Sequence, residues 1–138
     1  MAPPMAAAAL GRPRFTIADL VDEIDIPASG ITVVEGVGGP ASPLADDGDT
    51  VALAHAVGAD TIVLVAEPGL GVISNVRLCA AAFGPVPTIV FLNRFNAGDA
   101  LHVANHAWLV ERCGLDVLVD LDDLAGRLRT PQPSLGVS

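Results

Sequence analysis

Thr61-Ile62-Val63-Leu64-Val65-Ala66-Glu67-Pro68-Gly69-Leu70-Gly71 decides how the chain folds. The first half is a nearly continuous apolar run rich in β-branched residues, with no polar alternation, which is how a strand buried on both faces reads. The second half is a glycine turn. It leads into Val72 to Phe83, where apolar residues recur at helical spacing until Gly84-Pro85 stops them. Together these make one βα unit. Thr88-Ile89-Val90-Phe91-Leu92 followed by Asp99 to Cys113 repeats it, and Val117-Leu118-Val119 followed by Asp122 to Leu128 repeats it again in shorter form.

Working toward the N-terminus, Ile31-Thr32-Val33-Val34 reads as a further strand, ahead of an alanine-rich helix from Thr50 to Val57 behind the acidic cap region Asp46-Asp47-Gly48-Asp49. Ala6–Leu10 and Ile17–Ile24 also have helical character. Strands recurring at roughly 25–30 residues with helices between them imply right-handed crossovers and a parallel sheet. The expected fold is one α/β domain over residues 1–129, a three-layer parallel sheet with helices on both faces. The Pro- and Ser-containing tail Thr130–Ser138 is expected to be flexible.

Composition narrows the function classes. The 138 residues carry a net charge of −9, which argues against nucleic acid, whose recognition needs a basic footprint. All seven basic residues are arginines. No run reaches the ~18 apolar residues of a membrane span. Met1 to Leu10 lacks the basic start of a signal peptide and is broken by Pro3 and Pro4, so it reads as mature sequence. Mean hydropathy is +0.55 with 51% apolar residues, high for a soluble monomer, and suggests surface covered by a partner. Cys79 and Cys113 stand far apart without metal-ligand spacing, as reduced residues of a cytoplasmic protein do.

Open parallel sheets bind ligands at the carboxyl ends of their strands. The residues to weigh are therefore Glu35-Gly36-Val37-Gly38-Gly39, Glu67-Pro68-Gly69-Leu70-Gly71, Asn93-Arg94 and Asp120, four turns expected to converge on one edge. A carboxylate behind a buried strand suits magnesium, and glycines let backbone N–H groups approach phosphate oxygens. Glu35 is then a metal ligand or, equally, a solvated turn residue. Gly69-Leu70-Gly71 is an anion-binding helix start or a plain βα turn. Asn93-Arg94 offers an amide able to read a purine edge and a fixed cation, or a turn cap and a surface arginine. Gly36 to Ala41 matches G-x-G-x-x-A but does not open a helix, so a dinucleotide site is discounted. His102 and His106 share a helix face without a third ligand and read as surface or interface histidines. No G-x-S-x-G elbow is present.

The turn residues resemble one family. Val34-Glu35-Gly36-Val37-Gly38-Gly39 with Pro43-Leu44 resembles the V-E-G-A-G-G…P-L segment of dethiobiotin synthetases. Ala2-Pro3-Pro4 and Gly11-Arg12-Pro13 look like that family's S-P-H…E-G-R-P stretch. Gly69-Leu70-Gly71-Val72-Ile73-Ser74-Asn75 is similar to its G-L-G-x-I-N-H loop, and Leu92-Asn93-Arg94 to its L-N-R motif. The elements keep the family's order over roughly residues 2–120, and the E-G-x-G-G and L-N-R elements are the distinctive ones.

The resemblance implies a P-loop fold of the SIMIBI type and an enzyme that uses ATP and magnesium to close a ureido ring on 7,8-diaminononanoate with carbon dioxide, working as a homodimer. It implies that Glu35 ligates magnesium, that Gly36, Gly38 and Gly39 line the substrate and phosphate cavity, and that Asn93 with Arg94 recognises adenine. Three departures qualify it. The 138 residues contain no lysine and no G-x-x-x-x-G-K-T loop, Pro4 stands where the family has histidine, and Ser74 stands where it has asparagine. Without the loop there is no backbone cradle and no cation for the β- and γ-phosphates. The expectation is a dethiobiotin-synthetase-like subunit lacking the P-loop, a non-catalytic binding or assembly module of a larger complex. The alternative is half of a split enzyme, completed by a separate P-loop-bearing chain.

Overall fold

The computed structural model describes residues 1–129; the tail expectation for Thr130–Ser138 lies outside them. The chain is α/β. Its centre is a three-stranded parallel sheet of β3 (Ile62–Ala66), β4 (Thr88–Leu92) and β5 (Asp116–Leu118), in that order. Pairing is in simple register, with Ile62 opposite Thr88, Ala66 opposite Leu92 and Val90 opposite Val117.

Each crossover is a helix whose boundaries follow from the sequence. Helix α4 (Val72–Ala82) starts behind Gly71, whose φ of 87° is a left-handed conformation that glycine adopts without a Cβ penalty. Helix α5 (Ala100–Glu111) starts at Asp99, whose carboxylate accepts from Leu101 N–H at 2.9 Å and His102 N–H at 3.3 Å. Helix α6 (Leu121–Arg129) is capped in the same way by Asp120, which accepts from Asp122 N–H at 2.8 Å.

The main core lies between the sheet and α4 and α5. Val90, Leu92 and Leu109 are wholly buried there with Val72 and Val76. Val90 and Leu92 point to one face of β4, while Ile89 and Phe91 point to the other and are also buried. The unbroken apolar run of β4 is thus matched by burial on both faces.

The N-terminal region is built differently. Helix α1 (Pro3–Ala9) packs by β1 (Pro43–Ala45), which forms a short antiparallel pair with β2 (Gly48–Asp49). Helices α2 (Ile17–Glu23) and α3 (Thr50–Ala56) close over that pair, making a second small core of Ile17, Leu44, Ala45 and Leu53. The acidic stretch holds this region together by backbone capture. Asp46 accepts from Phe15 N–H at 3.2 Å, Asp47 from Ile17 N–H at 2.8 Å, and Asp49 caps α3 through Ala52 N–H at 2.9 Å.

One expected element is missing. Ile31–Val34 forms no strand, and Ile31, Val33 and Val34 are exposed, Val33 to 78%. A strand needs a neighbouring ladder, and the described residues supply none at this position. The expected four-stranded sheet is therefore three-stranded, and Ile24 to Ser42 contains no helix or strand. The β1–β2 hairpin was not expected from the sequence, because Pro43 and the acidic turn mask it. No helix among the described residues is long and apolar enough to cross a membrane.

Candidate functional site

The carboxyl edge of the sheet brings two of the four expected turns together. Asn93 N–H donates to Ala66 C=O at 2.9 Å, extending the β3–β4 ladder one step past the strands. The turn after β4 thereby lies against the turn after β3. Beyond that bond, the Arg94 guanidinium reaches Glu67 at 3.4 Å. Both side chains of this pair are largely exposed, so it contributes little to stability and weakens with salt. Arg94 has a φ of 58°, and it is the only non-glycine among the described residues in the left-handed region. Holding a side-chain-bearing residue there costs on the order of 1 kcal/mol. The reversal it makes leaves the Asn93 side chain exposed at the sheet edge.

The Gly69-Leu70-Gly71 turn is fixed from below by a residue that motif reading did not single out. Asn105, in the middle of α5 and 7% exposed, donates through Nδ2 to Pro68 C=O at 2.8 Å and Gly69 C=O at 3.0 Å. A buried amide must find partners, and here they are two loop carbonyls, of which that of Gly69 also accepts from Val72 N–H at 3.3 Å. A signal was available in the sequence: Asn105 stands in an otherwise apolar stripe four residues before the buried Leu109. The turn is therefore braced against α5, with Leu70 projecting almost wholly into solvent.

The Glu35 turn sits elsewhere in its local chemistry. Glu35 is exposed and does not follow a strand, so the premise of a carboxylate behind a buried strand is corrected. Gly36 packs on Thr50, the first residue of α3; a Cβ added at Gly36 would come within 2.5 Å of the threonine side chain. Gly38 has a φ of 83° and also lies against Ser42. The Gly39 N–H is already engaged, donating to Ser42 Oγ at 2.9 Å, while Ser42 N–H donates to Gly39 C=O at 2.9 Å. This is a self-closed turn, and its Gly39 amide is not free for a phosphate oxygen.

The fourth turn, at Asp120, is used as the α6 cap. The ion pair of Arg127 with Asp116 then ties α6 back to β5. The structure thus joins Glu67, the Gly69–Gly71 loop, Asn93 and Arg94 into one edge. Gly36, Gly38 and Gly39 are held by contacts to Ser42 and Thr50 instead, and Glu35 ahead of them is exposed.

His102 and His106 flank Phe95, with ring centroids 6.1 and 5.6 Å from it, and His102 Nδ1 accepts from Asn96 N–H at 3.2 Å. These contacts anchor the loop between β4 and α5. No group of three His, Cys, Asp or Glu side chains that could hold a metal occurs among the described residues. Cys79 and Cys113 are free thiols, and Cys113 packs on the main core. No family model, no curated protein and no solved structure matches this chain.

Proposed function

We propose that this chain is a dethiobiotin-synthetase-like module without a phosphate loop, serving as a non-catalytic binding or assembly subunit. The observation that carries the reading is the pairing of its two downstream motif elements. Glu67 through Gly71 and Leu92-Asn93-Arg94 stand side by side at the carboxyl edge of a parallel sheet, the position where open α/β sheets take ligands. That is the arrangement expected if the sheet is part of a three-layer P-loop-type fold and Asn93 faces a purine. Against turnover by these residues alone stands the lack of any lysine, since phosphoryl transfer depends on a cation and a backbone cradle at the β- and γ-phosphates. The occupied Gly39 amide points the same way.

A second reading is favoured by one specific observation. The apolar run Ile31–Val34 and the Glu35 turn behind it are solvent-exposed and without a sheet neighbour. In a split synthetase, a separate P-loop-bearing chain would supply that neighbour, and Glu35 would then ligate magnesium beside ATP.

Titration of ATP with magnesium into the isolated chain, followed by calorimetry, separates the two. The module reading expects no binding that depends on Glu35. Micromolar binding that falls at least about tenfold (about 1.4 kcal/mol) in Glu35→Ala sinks it in favour of a nucleotide site built around Glu35. Cytoplasmic co-purification then tests whether the partner carries a P-loop.

A further inference from the structure

Among the described residues, no strand pairs with the outer edge of β3. Natural sheets blunt free edges with short strands, charged or proline residues, or bulges, because an open row of N–H and C=O groups templates pairing with another chain. The opposite edge meets that rule: β5 has three residues, begins with Asp116, and is tied to α6 through Arg127. Strand β3 does not. It is Ile62-Val63-Leu64-Val65-Ala66, five residues with no charge, no proline and no register shift.

Its hydrogen-bonding parity identifies the open groups. Ile62 N–H donates to Pro87 C=O, and Ala66 C=O accepts from Asn93 N–H, so residues 62, 64 and 66 face β4. The backbone groups of Val63 and Val65 therefore face outward. The Val65 side chain is 60% exposed at that edge, in a sequence whose β-branched residues belong inside a sheet.

The charges at this edge indicate what would fit it. Asp60 precedes β3 and is exposed, while Glu67 behind the strand is already paired with Arg94, on a chain of net charge −9 without lysine. Pairing β3 with β3 of a second copy would bring together two chains of net charge −9, and like net charge opposes their association.

We infer that the β3 edge is a docking site for an apolar strand of a different polypeptide carrying basic residues at its ends, which adds to the sheet beside Val63 and Val65. The inference rests on the assembly-module reading in so far as it names the surface of assembly, and it does not depend on nucleotide binding. Main-chain bonds to the two valines supply affinity, and lysine or arginine near Asp60 supplies selectivity.

The test uses the full 138-residue chain and two synthetic peptides of alternating valine and threonine, one flanked by lysines and one by glutamates, read by hydrogen exchange at β3 and by affinity. The expected result is that the lysine peptide slows exchange at Val63 and Val65 and binds at least about tenfold tighter than the glutamate peptide (about 1.4 kcal/mol). Val65→Pro removes one outward N–H and leaves the β4 ladder its partners, so it should lower that affinity by about tenfold or more, and Val65→Lys should do so by repelling the lysines and charging the edge. Three outcomes overturn the inference. In one, Val63 and Val65 are already protected in the free monomer, meaning that the chain covers its own edge. In another, protection grows with protein concentration alone, meaning that a second copy is the occupant. In the third, the peptides bind equally or not at all. Failure of the ATP titration leaves all of these readouts unchanged, so the two proposals fail separately.

Discussion

Around β4, Val90, Leu92 and Leu109 have no exposed surface and α4 and α5 close over them, while Ile89 and Phe91 on the other face of the strand are 3% and 6% exposed. In the N-terminal region, Ile17, Leu44, Ala45 and Leu53 remain 3–8% exposed, and two seven-residue helices cover a two-strand ribbon. The substantial contacts between elements all fall within one region or the other. The sheet region is a packed core, which stabilises by burying apolar area in quantity. The N-terminal region also has an apolar cluster, and adds to it capping carboxylates, each satisfying backbone N–H groups at about 1 kcal/mol. The difference teaches that the elements with consecutive apolar strands hold themselves together, whereas Ile24 to Ser42, inside the N-terminal region, forms no helix or strand and is held by contacts such as Ile24 on the small core and Gly36 on Thr50.

The largest expected effect tests whether these are two cores. Leu109→Ala should cost about 3 kcal/mol or more in urea unfolding, through lost transfer energy and a cavity that the packed sheet cannot collapse. Leu53→Ala should cost about 2 kcal/mol, with the faster proteolysis confined to residues 15–57. If Leu53→Ala instead lowers the sheet's own transition as much as Leu109→Ala does, the two cores are one cooperative unit and the comparison breaks.

Next comes the brace on the glycine loop. Asn105→Leu keeps the volume but removes the donor to Pro68 C=O and one of the two donors to Gly69 C=O, a loss of about 2 kcal/mol. Amide exchange at Gly69 to Gly71 should rise while the centre of β4 stays protected. Unchanged exchange there would mean that the loop is held by its own turn bonds.

Asp49→Ala then probes the N-terminal region by its caps. It removes the acceptor for Ala52 N–H and should cost about 1 kcal/mol, seen as loss of α3 protection with β3 to β5 unaffected.

The smallest effect concerns Asp19. The Thr16 hydroxyl, and after it the Thr16 backbone N–H, donate to its carboxylate at 2.8 and 2.7 Å and hold its pKa below the ordinary carboxylate value. A lowered folded pKa stabilises above the unfolded value, and that contribution is lost as pH falls through the folded one. The carboxylate is fully exposed, so the effect is confined to acid pH. Thr16→Ala should move the Asp19 titration upward in NMR, and an unmoved titration would assign the shift to the backbone N–H alone.

Much of this was legible in the chain itself. The runs at 61–65, 88–92 and 117–119 declare strands because each is apolar throughout, and the glycines at 71, 84 and 114 with Asp49, Asp99 and Asp120 mark where helices start and stop. Local chemistry suffices for these, since caps and periodicity are set within one or two turns. The run at 31–34 has the same composition and forms no strand. A strand exists only through the ladder beside it, and no property of Ile31-Thr32-Val33-Val34 can supply one. The same limit applies to the candidate site. Sequence alone marked Glu67, Gly69, Gly71, Asn93 and Arg94, and with them Glu35 and its glycines, as turn residues expected to converge on one edge. Only the tertiary structure joined the first group at one edge, found Asn105 bracing it from a helix thirty-six residues away, and closed the Gly39 turn on Ser42 instead. Periodicity and capping are local and belong to the sequence; which backbone groups meet across the sheet is a long-range matter, and the parallel pairing of β3 with β4 decided it.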